Sequence, residues 1–314
     1  MRPCVSICRG KEMNCESKMS HPHLGAVLLL ITTIFWGAGF VAQKLGAGHL
    51  GPNAIIVLRS IIAAVFLMLV QAVRRRRVFD LRTWKMGAIC GISLFVPMFA
   101  QQKAFEFDIS PGVCAFLTAN YMLLVPVIGV FVRRKASKAE WFALFPALVG
   151  TYLICVTGED SFKVGLGELW TLLCAFLFAV EILVVDRLAP DCDTITLSIA
   201  MFASCAVLGA PCLALPSEFP LLTAANLKAA IPAILFLGLG SSGIGYTLQN
   251  VAQGLHTPPA LASIIMSLES VCGAVFGWLF FSDVMSTRCL IGCIMVFCAA
   301  LGAELFHICT SKAE

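Results

Sequence analysis

Ten apolar segments, each about as long as a membrane-crossing helix, follow one another along almost the whole chain. A helix of about 20 apolar residues crosses the hydrocarbon core of a bilayer. The segments are predicted near residues 24–44, 54–73, 86–104, 112–132, 141–157, 167–187, 195–215, 229–250, 259–281 and 289–308. With 59% apolar and 13% charged residues, the chain has no room for a separate soluble domain. The sequence therefore predicts an all-α integral membrane protein with ten transmembrane helices.

The links between the segments differ in their content of lysine and arginine. If the N-terminus is cytoplasmic, so are the basic runs Arg74–Arg77 and Arg133–Lys135, and the outer links carry only single basic residues. Basic links stay on the cytoplasmic side of a membrane, so we expect both termini in the cytoplasm. The protein is then expected to be a multi-pass protein of a bacterial-type cytoplasmic membrane. The arginine runs are interpreted as topology signals and not as nucleic-acid sites.

The second half of the chain repeats features of the first half. A shift of 148 residues places Pro111 on Pro259 and Gly129 on Gly277, and a shift of 142 places the first segment on the sixth. An odd number of spans in each copy makes the two copies cross the membrane in opposite orientations. Inverted repeats place the substrate site of secondary transporters near the membrane midplane. We predict two inverted five-helix repeats, residues 24–158 and 165–308, between cytoplasmic tails of residues 1–23 and 309–314.

One acid, Glu269, stands alone inside the ninth apolar segment. It follows Pro259 by ten residues, which places its carboxyl group roughly 15 Å deep, near the midplane. A carboxylate at that depth needs a polar cavity or a partner. Glu269 is therefore predicted to bind a cationic group of the substrate or to carry a coupling proton. The alternative is a structural acid that is hydrogen-bonded to neighbouring helices.

Other polar and aromatic residues are predicted to line the same cavity. Arg59 could bind a carboxylate with two parallel hydrogen bonds, or could instead reach the outer headgroups or pair with a structural acid. Glu181 is an unusual acid in the inner half of the sixth segment. The remaining predicted substrate-binding residues are Gln43, Asn120, Gln249 and Asn250 and the aromatic residues Trp36, Tyr121 and Tyr246. For the aromatic residues, core packing is the more common use.

These features resemble the drug/metabolite transporter superfamily, in its EamA-type ten-helix branch. The resemblance is carried by Phe35-Trp36-Gly37, Phe40, Arg59, Ser110-Pro111-Gly112 through Pro126, Thr257 through Glu269, and Gly277-Trp278 with Asp283. It covers roughly residues 24–308 and implies the ten-helix fold and a transport activity, but no particular substrate. The chain departs from the family pattern where Ser270 replaces a proline, Asp283 replaces a glutamate and Lys135 stands at the matching end position.

The leading functional hypothesis is a secondary active transporter of small organic metabolites that works by alternating access. Amino acids or related zwitterions are favoured as cargo because an acid, a base and aromatic groups are all available. A multidrug or organic-cation exporter of the same fold is the alternative. No Walker A motif is present, so direct use of ATP is not expected. Two other classes stay open: an ion channel, and a membrane enzyme that binds a phosphorylated substrate through Asp191 and Asp193.

The fifteen cysteines lie mostly within apolar segments, with no CxxC pair. Such cysteines are typical of helix packing and not of metal sites or disulfide frameworks. We therefore expect no metal, no cofactor and no enzymatic activity. The expected partners are a small-molecule substrate and the lipid bilayer, without nucleic acid, and a homodimer is left open.

Overall fold

A computed structural model describes residues 23–76, 78–155, 165–281 and 286–311. Every regular element in these ranges is helical, which confirms the all-α prediction. The acid Asp283 and most of the two predicted tails lie outside the described residues. The ten helical segments are α1 Leu24–Ala47, α2 Pro52–Val73, α3 Leu81–Ala104, α4 Pro111–Ala119 continued by Tyr121–Phe131, α5 Lys138–Cys155, α6 Leu166–Leu188, α7 Thr194–Gly209, α8 Ala224–Gly254, α9 Pro259–Met266 continued by Glu269–Phe281, and α10 Thr287–Ser311.

Within the described ranges, nine of these segments are long and apolar enough to cross a membrane. The tenth, α5, begins with the charged residues Lys138 and Glu140 and is only 18 residues long. It pairs with α10 along its length. A β-carbon on Gly150 would lie 2.7 Å from the backbone oxygen of Gly292, so the absence of a side chain lets the two helices approach closely.

The residues that begin the helices explain where the segments start. Pro52 and Pro111 stand in the first turn of α2 and α4, where a proline costs no hydrogen bond. The side chain of Ser110 accepts a hydrogen bond from the Val113 amide at the start of α4. Asp193 accepts one from the Thr196 amide, 2.9 Å away, at the start of α7. These are N-cap contacts that satisfy amides left free at a helix end.

Contacts between helices repeat when the two halves are exchanged. Helix α3 packs against α6 and α7, and its equivalent in the second half, α8, packs against α1 and α2. In the same way α1 packs against α9, and its equivalent α6 packs against α4. The pairs α2–α7 and α5–α10 each join equivalent helices. This is the contact pattern of duplicated halves, and the predicted fold class of two five-helix repeats is confirmed.

The repeat extends to a break in one helix of each half. Helix α4 is interrupted at Asn120 and resumes at Tyr121, and α9 is interrupted at Ser267 and Leu268 and resumes at Glu269. The same shift of 148 residues places Tyr121 on Glu269. Discontinuous membrane helices are tolerated where the free backbone groups lie inside the protein or line a cavity.

The middle of α8 has an unusual winding. Residues Phe236–Tyr246 form a π-helix, and they include four glycines. A β-carbon on Gly238 would lie 2.6 Å from Ile62 of α2, and one on Gly245 would lie 2.8 Å from the Trp36 side chain of α1. The glycines therefore allow the wide turns to lie directly against α1 and α2. π-Helical turns are rare and are frequent at functional sites.

Glu218, in the link between α7 and α8, holds the start of α2. Its buried carboxylate accepts hydrogen bonds from the Asn53 amide and side chain, both 2.9 Å away, and from the Ala54 amide at 3.2 Å. We expect Glu218→Ala to lower the free energy of unfolding by roughly 1–3 kcal/mol, because it leaves buried donors unpaired. A thermal melt of the purified protein in detergent measures this loss as a lower Tm.

The matched control is Glu106→Ala. Glu106 is partly exposed and pairs with Lys103 within the same stretch of chain, and such pairs contribute little. An equal fall in Tm for both variants would contradict the contribution assigned to Glu218.

Candidate functional site

Helices from both halves surround a small internal cavity of about 20 Å³. That volume holds about one water molecule. Its walls carry charged, polar and aromatic groups together, which distinguishes it from an ordinary packing defect. The cavity is lined by Trp36, Phe40, Gln43, Arg59, Gln101, Thr118, Tyr121, Phe178, Glu181, Ile182, Ser241, Tyr246 and Glu269.

Arg59 enters the cavity from α2 and is only 3% exposed. Its Nε donates to Ser242 Oγ and its Nη2 donates to Ser241 Oγ, each over 2.8 Å. The structure rules out the alternative that Arg59 reaches the lipid headgroups, because the side chain is buried against α8. No acid in the described ranges forms an ion pair with it. Two neutral hydroxyl groups orient the guanidinium and leave its charge uncompensated.

Glu269 begins the second part of α9 and is 2% exposed. Neither its Oε1 nor the hydroxyl group of Tyr121 has a hydrogen-bond partner in the described part of the chain. The two side chains are close enough to interact, although the geometry between their oxygens does not meet the criterion for a hydrogen bond. The equivalent positions of the two repeats thus meet in the cavity. A buried carboxyl group without a counter-charge is costly, and either a proton or a cationic ligand removes that cost.

Glu181 is a second buried acid on the cavity wall. Its Oε2 accepts a hydrogen bond of 3.3 Å from Gln249 Nε2, whereas Oε1 has no partner. Gln249 also donates to Gln253 Oε1, and Gln253 Nε2 donates to the Ile182 carbonyl over 2.7 Å. The two glutamines therefore form a chain between α8 and α6 that orients one oxygen of Glu181 and leaves the other oxygen free.

The aromatic wall of the cavity is built around Tyr246. The Trp36 ring lies 4.7 Å from the Tyr246 ring, centroid to centroid, and Phe202 meets Tyr246 edge-on at 6.0 Å. The indole Nε1 of Trp36 donates to the Ser241 carbonyl over 3.3 Å. That carbonyl belongs to the π-helical part of α8. The unusual winding therefore orients the indole ring as well as Arg59.

Three of the ten predicted residues do not reach the cavity. Asn120 Nδ2 donates to the carbonyls of Phe116 and Leu117, next to the break in α4. Asn250 Nδ2 donates to Ser198 Oγ over 2.8 Å and so joins α8 to α7. Gln249 donates a hydrogen bond to Glu181 but does not itself line the cavity. Lipid cannot satisfy such groups, so a polar side chain in a span turns to another helix as readily as to a cavity.

The structure adds lining residues that sequence reasoning missed. Gln101 donates to Thr118 Oγ1 over 3.2 Å, which joins α3 to α4 beside the cavity. Ser241 is hidden within the glycine-rich part of α8. The remaining additions are Thr118, Phe40, Phe178 and Ile182. Gln101 stands at the polar end of its span, which is a usable signal, but nothing distinguishes the apolar residues from ordinary core positions.

The acids Asp191 and Asp193, which suggested a membrane enzyme, interact with different partners. Asp193 caps α7 and accepts a 2.9 Å hydrogen bond from Gln71 Nε2. Asp191 is exposed and forms a 3.5 Å pair with Arg82. Within the described ranges, no group of three or more potential ligands could hold a metal ion.

The chain is similar to transporters over nearly its whole length. The EamA-like transporter family matches it twice, at residues 23–156 and 165–304. A protein named as an uncharacterized transporter of Archaeoglobus fulgidus is 23% identical over 283 residues, covering 88% of this chain and 84% of that protein. The uncharacterized transporter YwfM of Bacillus subtilis is also 23% identical, over 285 residues, covering 88% and 92%.

A solved crystal structure shares the fold with a TM-score of 0.73 and 18% sequence identity, covering 90% of this chain and 96% of that one. At that identity the similarity concerns the fold alone. The two matches to one family agree with the duplicated helix contacts and with the paired breaks in α4 and α9. The chain therefore belongs to the EamA-like transporter family and is a membrane transporter.

Proposed function

We propose that the protein is a secondary active transporter of small zwitterionic metabolites, of which amino acids are the simplest. The observation that carries this proposal is the charge arrangement in the cavity. Among the residues that the structure describes, Arg59 has no acidic partner, and both Glu181 and Glu269 keep a carboxyl oxygen free of hydrogen bonds. A zwitterion supplies a carboxylate for the guanidinium and an ammonium group for an acid, so it satisfies both sides at once.

The size of the cavity supports alternating access. Room for about one water does not admit an organic cargo, so the helices must separate before cargo can enter. The breaks in α4 and α9 and the π-helical part of α8 all lie at the cavity. They are natural positions for bending, because fewer regular backbone hydrogen bonds oppose it.

Glu269 is proposed as the coupling residue. It faces Tyr121 and lacks a cation, so a proton removes the cost of its charge when no cargo is bound. Binding of a cargo ammonium group would compete with that proton. Transport would then depend on the proton gradient.

The test is uptake into proteoliposomes with and without an imposed pH gradient, using a radiolabelled amino acid panel. Competition uses matched analogues of one amino acid, namely its methyl ester and its desamino acid. We expect the intact zwitterion to compete best, because each analogue leaves one charged group of the cavity unpaired. Competition by either analogue as strong as that by the intact zwitterion, or uptake that does not respond to the gradient, would contradict the proposal.

A multidrug or organic-cation exporter is the second candidate, favoured by the two acids and the aromatic wall of Trp36 and Tyr246. Aromatic faces and carboxylates attract organic cations. In the same assay this alternative predicts that the methyl ester, which is a cation, competes better than the zwitterion. The ranking of these two compounds therefore separates the candidates.

A further inference from the structure

A groove of about 800 Å³ lies along α6 and shares no lining residue with the central cavity. Its floor is formed by Val180 and Val184 of α6, and its walls by Ile89 of α3 and Ile128 of α4. The Tyr121–Phe131 part of α4 packs on α6 but makes few contacts with α3, which leaves the groove open between them. Its volume falls within the range of about 300–1,000 Å³ that is typical of ligand sites.

One end of the groove carries an excess of positive charge. Arg133, Arg134 and Arg187 line it together with a single acid, Asp186. Arg134 Nε forms an ion pair with Asp186 Oδ2 at 2.6 Å, and Arg187 also interacts electrostatically with this acid. Arg133 and Arg187 are exposed and form no ion pair with any described residue. With three arginines and one acid, the mouth of the apolar groove therefore keeps an excess of positive charge.

The position of the arginines matches the membrane surface. They stand where α4 and α6 end, on the face that the basic links predict to be cytoplasmic, and the apolar floor runs from there toward the membrane interior. Basic pockets between helices on that side attract anionic headgroups. The chemistry required of an occupant is an anionic head joined to a long apolar chain.

We propose that this groove binds one anionic phospholipid, with its phosphate on Arg133 and Arg187 and an acyl chain along Val180 and Val184. The apolar walls explain why a free phosphate does not suffice. The site is separate from the transport cavity, because α6 turns Glu181 and Ile182 toward the cavity and Val180 and Val184 toward the groove. The proposal therefore stands whether or not the cargo assignment is right.

Native mass spectrometry of the detergent-purified protein tests the proposal, with phosphatidylglycerol and phosphatidylcholine of identical chains as probes. We expect one phosphatidylglycerol to be retained with roughly tenfold preference, the size of effect of one or two interfacial cations. Equal retention of the two lipids by the unaltered protein would overturn the proposal without reference to any variant.

The double variant Arg133→Gln/Arg187→Gln leaves the Arg134–Asp186 pair in place and is expected to reduce the preference below about twofold. The control variant Arg74→Gln/Arg75→Gln removes two arginines from another link and should leave the preference for phosphatidylglycerol unchanged. An equal loss in this control would overturn the proposal in favour of a diffuse surface charge effect.

Two further measurements separate the head from the chain. Glycerol phosphate at millimolar concentration should not displace the bound lipid; displacement would mean a soluble phosphate site and would overturn the lipid assignment. Val184→Phe narrows the groove and should weaken retention of both lipids at an unchanged Tm. Unchanged retention with that variant would show that the chain lies elsewhere.

Discussion

Glu269→Gln is expected to reduce gradient-driven uptake to the rate of protein-free liposomes while the protein still folds. Glutamine keeps the size of the side chain but cannot release a proton, so the coupling step is lost. It also removes the cost of burying an ionisable carboxyl group, which must either stay charged or take up a proton, so the Tm should be maintained or raised. The measurement is uptake as a function of external pH, paired with a thermal melt of the same preparation.

Cargo exchange at equal pH on both sides of the membrane distinguishes coupling from binding. If Glu269 carries only the proton, exchange continues in Glu269→Gln; if it also holds the cargo ammonium group, exchange falls as well. Glu168→Gln is the matched control, because Glu168 caps Gly165 at the start of α6, away from the cavity. Full gradient-driven uptake with normal pH dependence in Glu269→Gln would disprove the coupling role.

Arg59→Gln should weaken binding of carboxylate-bearing cargo by about ten- to a hundredfold. That factor corresponds to the roughly 1.5–3 kcal/mol of a hydrogen bond to a charged group. Arg59→Lys should lose most of the same affinity, since an ammonium group cannot bind Ser241 and Ser242 and a carboxylate in the same planar arrangement. Binding measured by scintillation proximity with the labelled cargo reports the loss directly.

A cargo analogue without a carboxylate provides the control for Arg59. Its binding should change little in Arg59→Gln, because the guanidinium has no partner on that molecule. Ser242→Ala removes one of the two hydroxyl contacts and should have a smaller effect than loss of the arginine. Equal loss of binding for both compounds, together with a lower Tm, would instead assign Arg59 a structural role.

Much of the fold could be predicted because a bilayer allows few solutions. Lipid leaves no partner for free backbone groups, so a series of long apolar segments has to become a series of helices. The duplicated Pro111 and Pro259 reveal the two halves, and the odd number of segments in each half indicates their opposite orientation. Glu269 stands out for the same reason, since an acid at that depth needs a special environment.

The candidate site could be predicted only in part. Arg59, Glu181 and Glu269 are conspicuous as charges in apolar segments, and the structure brings all three to one cavity. Asn120 and Asn250 are equally conspicuous, yet they satisfy backbone and side-chain groups of other helices. A polar side chain within a span is expected to avoid lipid, but its polarity does not show which group inside the protein it will contact.

The amino-acid pattern alone therefore established the helices, their duplication and the charges that must be hidden from lipid, because each depends on distance along one chain and on the solvent. The rest depended on helices brought together in three dimensions. The two serines that hold Arg59 lie more than 180 positions from it along the chain. The lining of the small cavity likewise combines residues from both halves. The spacing of residues along the chain does not predict such contacts, because they depend on how the two halves pack together.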